Sequence, residues 1–101
     1  MVFDPGLHML GWTRQQAIEF IMEGGNTRQN AETLVDRAAV TPGQLTSYDL
    51  GGYEFFALRQ LAQQRLGARF DIRQFHNQLL ERGTITVPML REAVGRWLSA
   101  F

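Results

Sequence analysis

The sequence predicts an all-α fold, about five helices packed around one long central helix. Three observations predict it. Apolar residues recur three and four positions apart along most of the chain. Helix start signals, a Thr or Asp followed three residues later by Gln, stand ahead of several of these stretches, and Gly follows them. Only Ile85–Val87 has the look of a strand, and that segment is too short to decide anything.

Residues 1–10 are apolar but interrupted by Pro5 and Gly6, and read as a tail or the last turn of an earlier element, stopped by Gly11. Thr13 caps the next helix with Gln16 in the capping-box position. Ala17, Ile18, Ile21 and Met22 form its buried stripe, and Gly24-Gly25 ends it. Thr27 caps the following helix, with Ala31, Leu34, Val35, Ala38 and Ala39 inward and Arg28, Glu32, Asp36 and Arg37 outward.

The long helix reads from a Thr41 cap, with Pro42 at its first position, Gln44 in a capping box and a staple between Val40 and Leu45. Leu45, Tyr48, Phe55, Leu58, Leu61, Ala62 and Leu66 follow helical spacing up to a stop at Gly67. Such a helix is about 37 Å long at 1.5 Å per residue. Gly51 and Gly52 fall in its middle, where each costs roughly 1 kcal/mol against Ala. They predict either a bend or the close approach of another backbone or a ligand.

Asp71 caps a fourth helix, with Gln74 as the box partner and Phe70 and Phe75 as a staple. Ile72, Phe75, Leu79 and Leu80 face inward, and Gly83 ends it. After an extended link, Pro88 opens the last helix, whose stripe is Leu90, Val94, Trp97, Leu98 and Phe101. The whole is read as a single helical domain, 1–101.

Composition narrows the function. The 101 residues carry a net charge of +0, and all ten basic residues are Arg. The pI is about 6.7. That balance gives no electrostatic case for nucleic acid or an anionic membrane. The helix pair from Thr13 to Val35 loosely fits a helix-turn-helix, but the face of its second helix is neutral, which argues against a DNA reader. The absence of Cys removes disulfides, thiolate metal sites and Cys nucleophiles. No stretch reads as a signal peptide or a bilayer span, so the chain as given is expected in the cytoplasm.

The chemistry on offer is sparse. There is no His-Glu-x-x-His helix, no P-loop and no nucleophile elbow. A zinc site from this chain alone would need His8, His76 and a carboxylate to converge, and nothing in the spacing supports that. His76 reads as a helix-flank residue. Tyr48 can donate a hydrogen bond to a developing oxyanion, or can belong to the core.

Three blocks carry a resemblance. The first is Asp4-x-Gly6-Leu7-His8-x-x-Gly11-Trp12-Thr13-Arg14-x-Gln16-Ala17. The second is Pro42-Gly43-Gln44-x-x-Ser47-Tyr48-x-x-Gly51. The third is Phe70-Asp71-Ile72-Arg73-x-Phe75-His76-Asn77, followed by Leu80, Gly83 and Pro88. In order and spacing they resemble the C-terminal part of the bacterial domain-of-unknown-function family DUF885, which itself resembles α-helical zinc metallopeptidases. Members carry their zinc ligands upstream of this part. The resemblance therefore implies a C-terminal fragment of a zincin-like helical fold, with zinc and a peptide substrate belonging to the parent and no metal or cofactor in this chain. It implies Tyr48 as the oxyanion donor of the parent, with Gln44 and Gly51 shaping the wall beside it. His8 and Asp4 are implied near the same cleft as substrate or supporting groups. Three positions depart from the family pattern. Asp49 stands where a basic residue is expected, Ala38 where an aromatic is expected, and Gln15 in place of Glu.

Two readings follow. One is a portion of a peptidase-like protein, inactive alone, whose parent could be exported. The other is a self-contained helical interaction or oligomerisation module. Apolar surface at Met1–Leu10 and Trp97–Phe101 predicts self-association, as a dimer. A peptidase fragment should hold Tyr48, Gln44 and His8 on an open wall, whereas a module should bury Tyr48.

Overall fold

Six α-helices and no strand run through residues 2–101, the residues described in the computed structural model. They are α1 Phe3–Met9, α2 Arg14–Glu23, α3 Arg28–Val40, α4 Gln44–Leu66, α5 Ile72–Leu80 and α6 Val87–Ser99. A 3-10 turn at Gly67–Arg69 follows α4. The all-α expectation holds. The sixth helix is α1, where the sequence read as a tail. Pro5 sits inside the first turn, where a missing N–H costs nothing, and its carbonyl accepts from Leu10 N at 3.2 Å. Gly6 is required for packing: a Cβ there would lie 2.5 Å from Cδ2 of the Trp12 indole. Met1, the first residue of the expected sticky tail, lies outside the described residues.

The chain divides into two compact units, one up to Leu50 and one from Gly51 onward. In the first, α1, α2 and α3 close around Phe3, Ala17, Ile18, Ile21, Ala31, Val35, Ala38 and Leu45, with Leu7, Trp12 and Leu34 packed at the edge. Three of these are alanines with no exposed surface, so the α2 and α3 backbones approach closely. The capping box at Thr13 forms as read: Gln16 N donates to Thr13 Oγ1 at 3.1 Å, and Thr13 N donates to Gln16 Oε1 at 2.8 Å. Thr27 caps α3 through Asn30 N. Met22 and Ala39, expected inside, are exposed.

A fork between Arg14 and Asp36 ties α2 to α3, with Nε–Oδ1 at 2.7 Å and Nη2–Oδ2 at 3.0 Å. The hydrogen bond from Arg14 holds the Asp36 carboxyl below its ordinary value of 3.8. A depressed carboxyl stabilises the fold above its unfolded value, and that contribution fades as pH falls through the folded value. The Asp36 carboxyl should therefore titrate below 3.8 by NMR and return to it in Arg14→Gln. An unchanged titration in the variant would mean that the fork does not persist in solution.

In the second unit, Leu58, Ala62 and Leu66 of α4 pack with Phe75, Leu79, Leu90, Val94 and Leu98. Phe75 is the aromatic centre, 6.0 Å from the Phe70 ring and 6.5 Å from Trp97, so the expected staple is present. Asp71 caps α5 by accepting from Arg73 N at 2.8 Å rather than by closing a box with Gln74. α6 starts one residue before Pro88, capped by Thr86. Glu54 on α4 pairs with Arg91 on α6, Nε–Oε2 at 2.9 Å. Tyr48, Phe55, Leu61 and Leu80, read as apolar stripe positions, are instead exposed.

Gly51 and Gly52 do not interrupt the helix. Both are helical within α4, neither has positive φ, and a Cβ at either position would meet nothing within 4 Å. They mark neither a break nor a close approach within the described residues.

Candidate functional site

The most constrained polar residue in the molecule is Asp4, which is 2% exposed. It points at the turn that joins α3 to α4. The sequence placed the α4 cap at Thr41, but Thr41 ends α3, with its Oγ1 donating to Arg37 O at 2.6 Å. Gly43, at φ +80, then starts the next helix, and its carbonyl accepts from Ser47 N at 3.1 Å. The Gly43 N–H needs an acceptor, and Asp4 supplies it with both oxygens, at 3.0 and 3.2 Å. Thr46 Oγ1 donates to Asp4 Oδ2 at 3.1 Å. A carboxylate at a helix N-terminus is further favoured by the helix dipole. The cap of α4 is thus delivered from α1, 39 residues away in sequence.

His8 stands one turn after Asp4 on the same helix. Its Nε2 lies 2.9 Å from Ala38 O and 3.6 Å from Asp4 Oδ1. A carbonyl only accepts, so Nε2 carries the proton in this contact. His8 fastens α1 to the end of α3, while Asp4 fastens it to the start of α4.

The structure therefore brings Asp4 and His8 together, beside the turn that leads into Gln44. Gln44 is exposed and accepts from Arg37 Nε at 3.0 Å, so its side chain faces α3 and does not close a capping box. Tyr48 is 66% exposed, and its phenol makes no hydrogen bond among the described residues. Gly51 is half-buried and opens the second unit.

A metal fits poorly here. Among the described residues no group of three or more His, Asp or Glu side chains gathers as a metal site. The Asp4 oxygens already take donors from Gly43 and Thr46, and Nε2 of His8 faces a carbonyl. No helix among the described residues is long and apolar enough to cross a membrane.

The family model described as "Bacterial protein of unknown function (DUF885)" matches residues 1–94. The chain belongs to the DUF885 family. A crystal structure of "the putative lipoprotein from Colwellia psychrerythraea" is similar over 99% of this chain, with a TM-score of 0.96 and 36% identity. This chain spans only 17% of the length of that one. No curated protein matches it.

Two of the family blocks now have a structural account. The Asp4 to Trp12 block and the Pro42-Gly43 turn form one clamp: buried carboxylate, ring hydrogen bond, and a glycine that makes room for an indole. Sequence reading missed the pairing of Asp4 with Gly43 and Thr46. The only signals for it were Pro-Gly ahead of a helix and an Asp early in the chain.

Proposed function

We propose that this chain is the C-terminal helical portion of a peptidase-like DUF885 protein, that the parent holds the zinc, and that this portion alone does not turn over peptides. The observation that carries the reading of a portion is the likeness to the Colwellia psychrerythraea structure, while the peptidase and zinc part rests on the family resemblance. That likeness is nearly complete for this chain yet accounts for 17% of the larger one. The exposure of Tyr48 supports the same reading, because a free phenol on an open helix face is available to a cleft made with other parts of a parent. In that setting Tyr48 donates to the developing oxyanion of the scissile amide. Asp4 and His8 act by holding α1 against the α3–α4 turn, which fixes the start of the helix that carries Tyr48. The description of that relative as a lipoprotein supports an exported parent, the second localisation left open by the sequence.

The test uses the Colwellia psychrerythraea protein with its matching segment replaced by this chain. Peptide hydrolysis is compared with and without Tyr48→Phe. The variant should lower kcat by about 10²–10³-fold with KM little changed. Equal rates would remove Tyr48 from the chemistry. Absence of hydrolysis in the unaltered relative would remove the peptidase reading.

A second reading, a helical association module, is favoured by one observation. Met9, Leu10 and Val40 are 82%, 69% and 79% exposed, more than an isolated domain gains from. It expects a dimer in sedimentation analysis, and a monodisperse monomer at high concentration contradicts it.

A further inference from the structure

The middle of α4 is unlike the other helices. From Ser47 to Ala57, about three turns, no residue is buried. Yet the stretch is apolar: Tyr48, Leu50, Tyr53, Phe55 and Phe56 range from 44% to 73% exposed. Only Asp49 and Glu54 in it are charged, and Glu54 is held by Arg91 of α6. At about 100° per residue, Tyr48, Gly52, Phe55 and Phe56 lie along one side of the helix, and Leu50, Tyr53 and Ala57 along the other. By contrast, α6 buries Leu90, Ala93, Val94 and Leu98 along a single stripe.

A helix that is apolar on all sides belongs inside a larger fold. Standing in water, this one is also weak. Gly51 and Gly52 are poor helix formers, and nothing in this chain lies over them. Three observations narrow what covers it. No helix among the described residues is long and apolar enough to cross a membrane. A second copy docked by a two-fold axis covers one side of a helix, whereas both sides are apolar here. The relative from Colwellia psychrerythraea carries this fold as a small part of a much longer chain, so most of that chain is free to surround it.

We propose that Leu50–Ala57 of α4 is a docking segment, enclosed on both sides by apolar helix faces from the remainder of a DUF885 chain. Gly51 and Gly52 are where one of those helices comes closest, because a position without Cβ admits a neighbouring backbone. Tyr48 stands at the N-terminal edge of the enclosed segment, which leaves its phenol to the cleft. The proposal rests on reading this chain as a portion of a larger DUF885 protein, and not on the peptidase part of that reading.

The test is amide hydrogen exchange, read by mass spectrometry on this chain and on the unaltered Colwellia psychrerythraea protein. Amides of the segment matching Leu50–Ala57 should exchange at least about 100-fold more slowly in the larger protein. Amides around Val35 and Val94, already buried in this chain, should differ far less. A second measurement uses Gly52→Ala. It should raise the Tm of this chain by about 4–8 °C, since the helix gains and nothing is displaced. In the Colwellia psychrerythraea protein carrying this chain in place of its matching segment, the same substitution should lower the Tm. The proposal is overturned by equal exchange of the segment in the two proteins, or by a slowing that Val35 and Val94 share in full. It is also overturned by protection that rises with the concentration of this chain, which assigns the cover to a second copy, or by Gly52→Ala raising both Tm values. Hydrolysis is not part of the readout. Slow exchange in a relative that cleaves no peptide removes only the peptidase reading, and fast exchange in one that does removes only this proposal.

Discussion

Replacing Asp4 by alanine should lower the unfolding free energy by about 2–4 kcal/mol in urea denaturation. The substitution strips the acceptor from Gly43 N–H and from Thr46 Oγ1 at a site that is 2% exposed. Orphaned donors at such a site regain water only if α1 lifts away from the α3–α4 turn. Asp4→Asn is the sharper variant. Its shape is unchanged, and with its oxygen in the place of Oδ2 it can still accept from Gly43 N–H and Thr46 Oγ1, so it should recover much of the loss and leave only the charge-dependent part. Tyr48→Phe removes a hydroxyl that bonds to nothing described and should stay within about 0.5 kcal/mol of wild type. If Asp4→Ala instead keeps wild-type stability, the clamp is not what holds α1, and a direct role in a cleft becomes the better explanation of that block.

Phe75→Ala should cost about 3–5 kcal/mol, the range for emptying a buried aromatic site. The Phe75 ring is 2% exposed and lies within ring contact of both Phe70 and Trp97. Removing it opens a void under three helices of the second unit that alanine cannot fill. Against a total stability of roughly 5–15 kcal/mol, that loss should leave much of the chain unfolded near physiological temperature. Phe75→Leu keeps most of the volume and should cost less than half as much. Equal effects of the two substitutions would indicate that the ring is not packed as described.

The elements that could be read from the sequence are those whose causes are local. Thr13 with Gln16, Thr27 and Asp71 cap helices through donors two or three residues away, and each cap was visible as a short motif. The staple of Phe70 on Phe75 is equally local. The start of α4 differs from the sequence expectation for the complementary reason. Thr41, Pro42 and Gln44 have the composition of a local cap, yet the acceptor at Gly43 comes from Asp4 on another helix. Nothing in a linear pattern distinguishes the two. Residues 1–10 read as a tail in the sequence because Pro5 and Gly6 are poor helix formers. Proline is harmless in a first turn, and Gly6 is needed beneath Trp12.

The candidate site was partly legible. Asp4 and His8 are read as site residues with Tyr48, Gln44 and Gly51, and the structure places Asp4 and His8 one turn apart on α1, with Asp4 on the Gly43 turn and Tyr48 exposed. Their chemistry was not legible, because a buried carboxylate that caps a helix and one that meets a substrate look alike in sequence. Periodicity also overcounted the core. Tyr48, Phe55, Leu61 and Leu80 obey helical spacing but face solvent. Spacing reports which residues share a face and is silent on whether anything packs against it.

The measurement that tests the central claim most directly is a calorimetric titration of zinc into the purified chain, with peptide hydrolysis followed in the same sample. A metal-free helical portion of a larger protein should give no stoichiometric uptake and no turnover at any zinc concentration. Tight one-to-one zinc binding with turnover would contradict the account. It would require Asp4 and His8 to leave Gly43 and Ala38 for the metal.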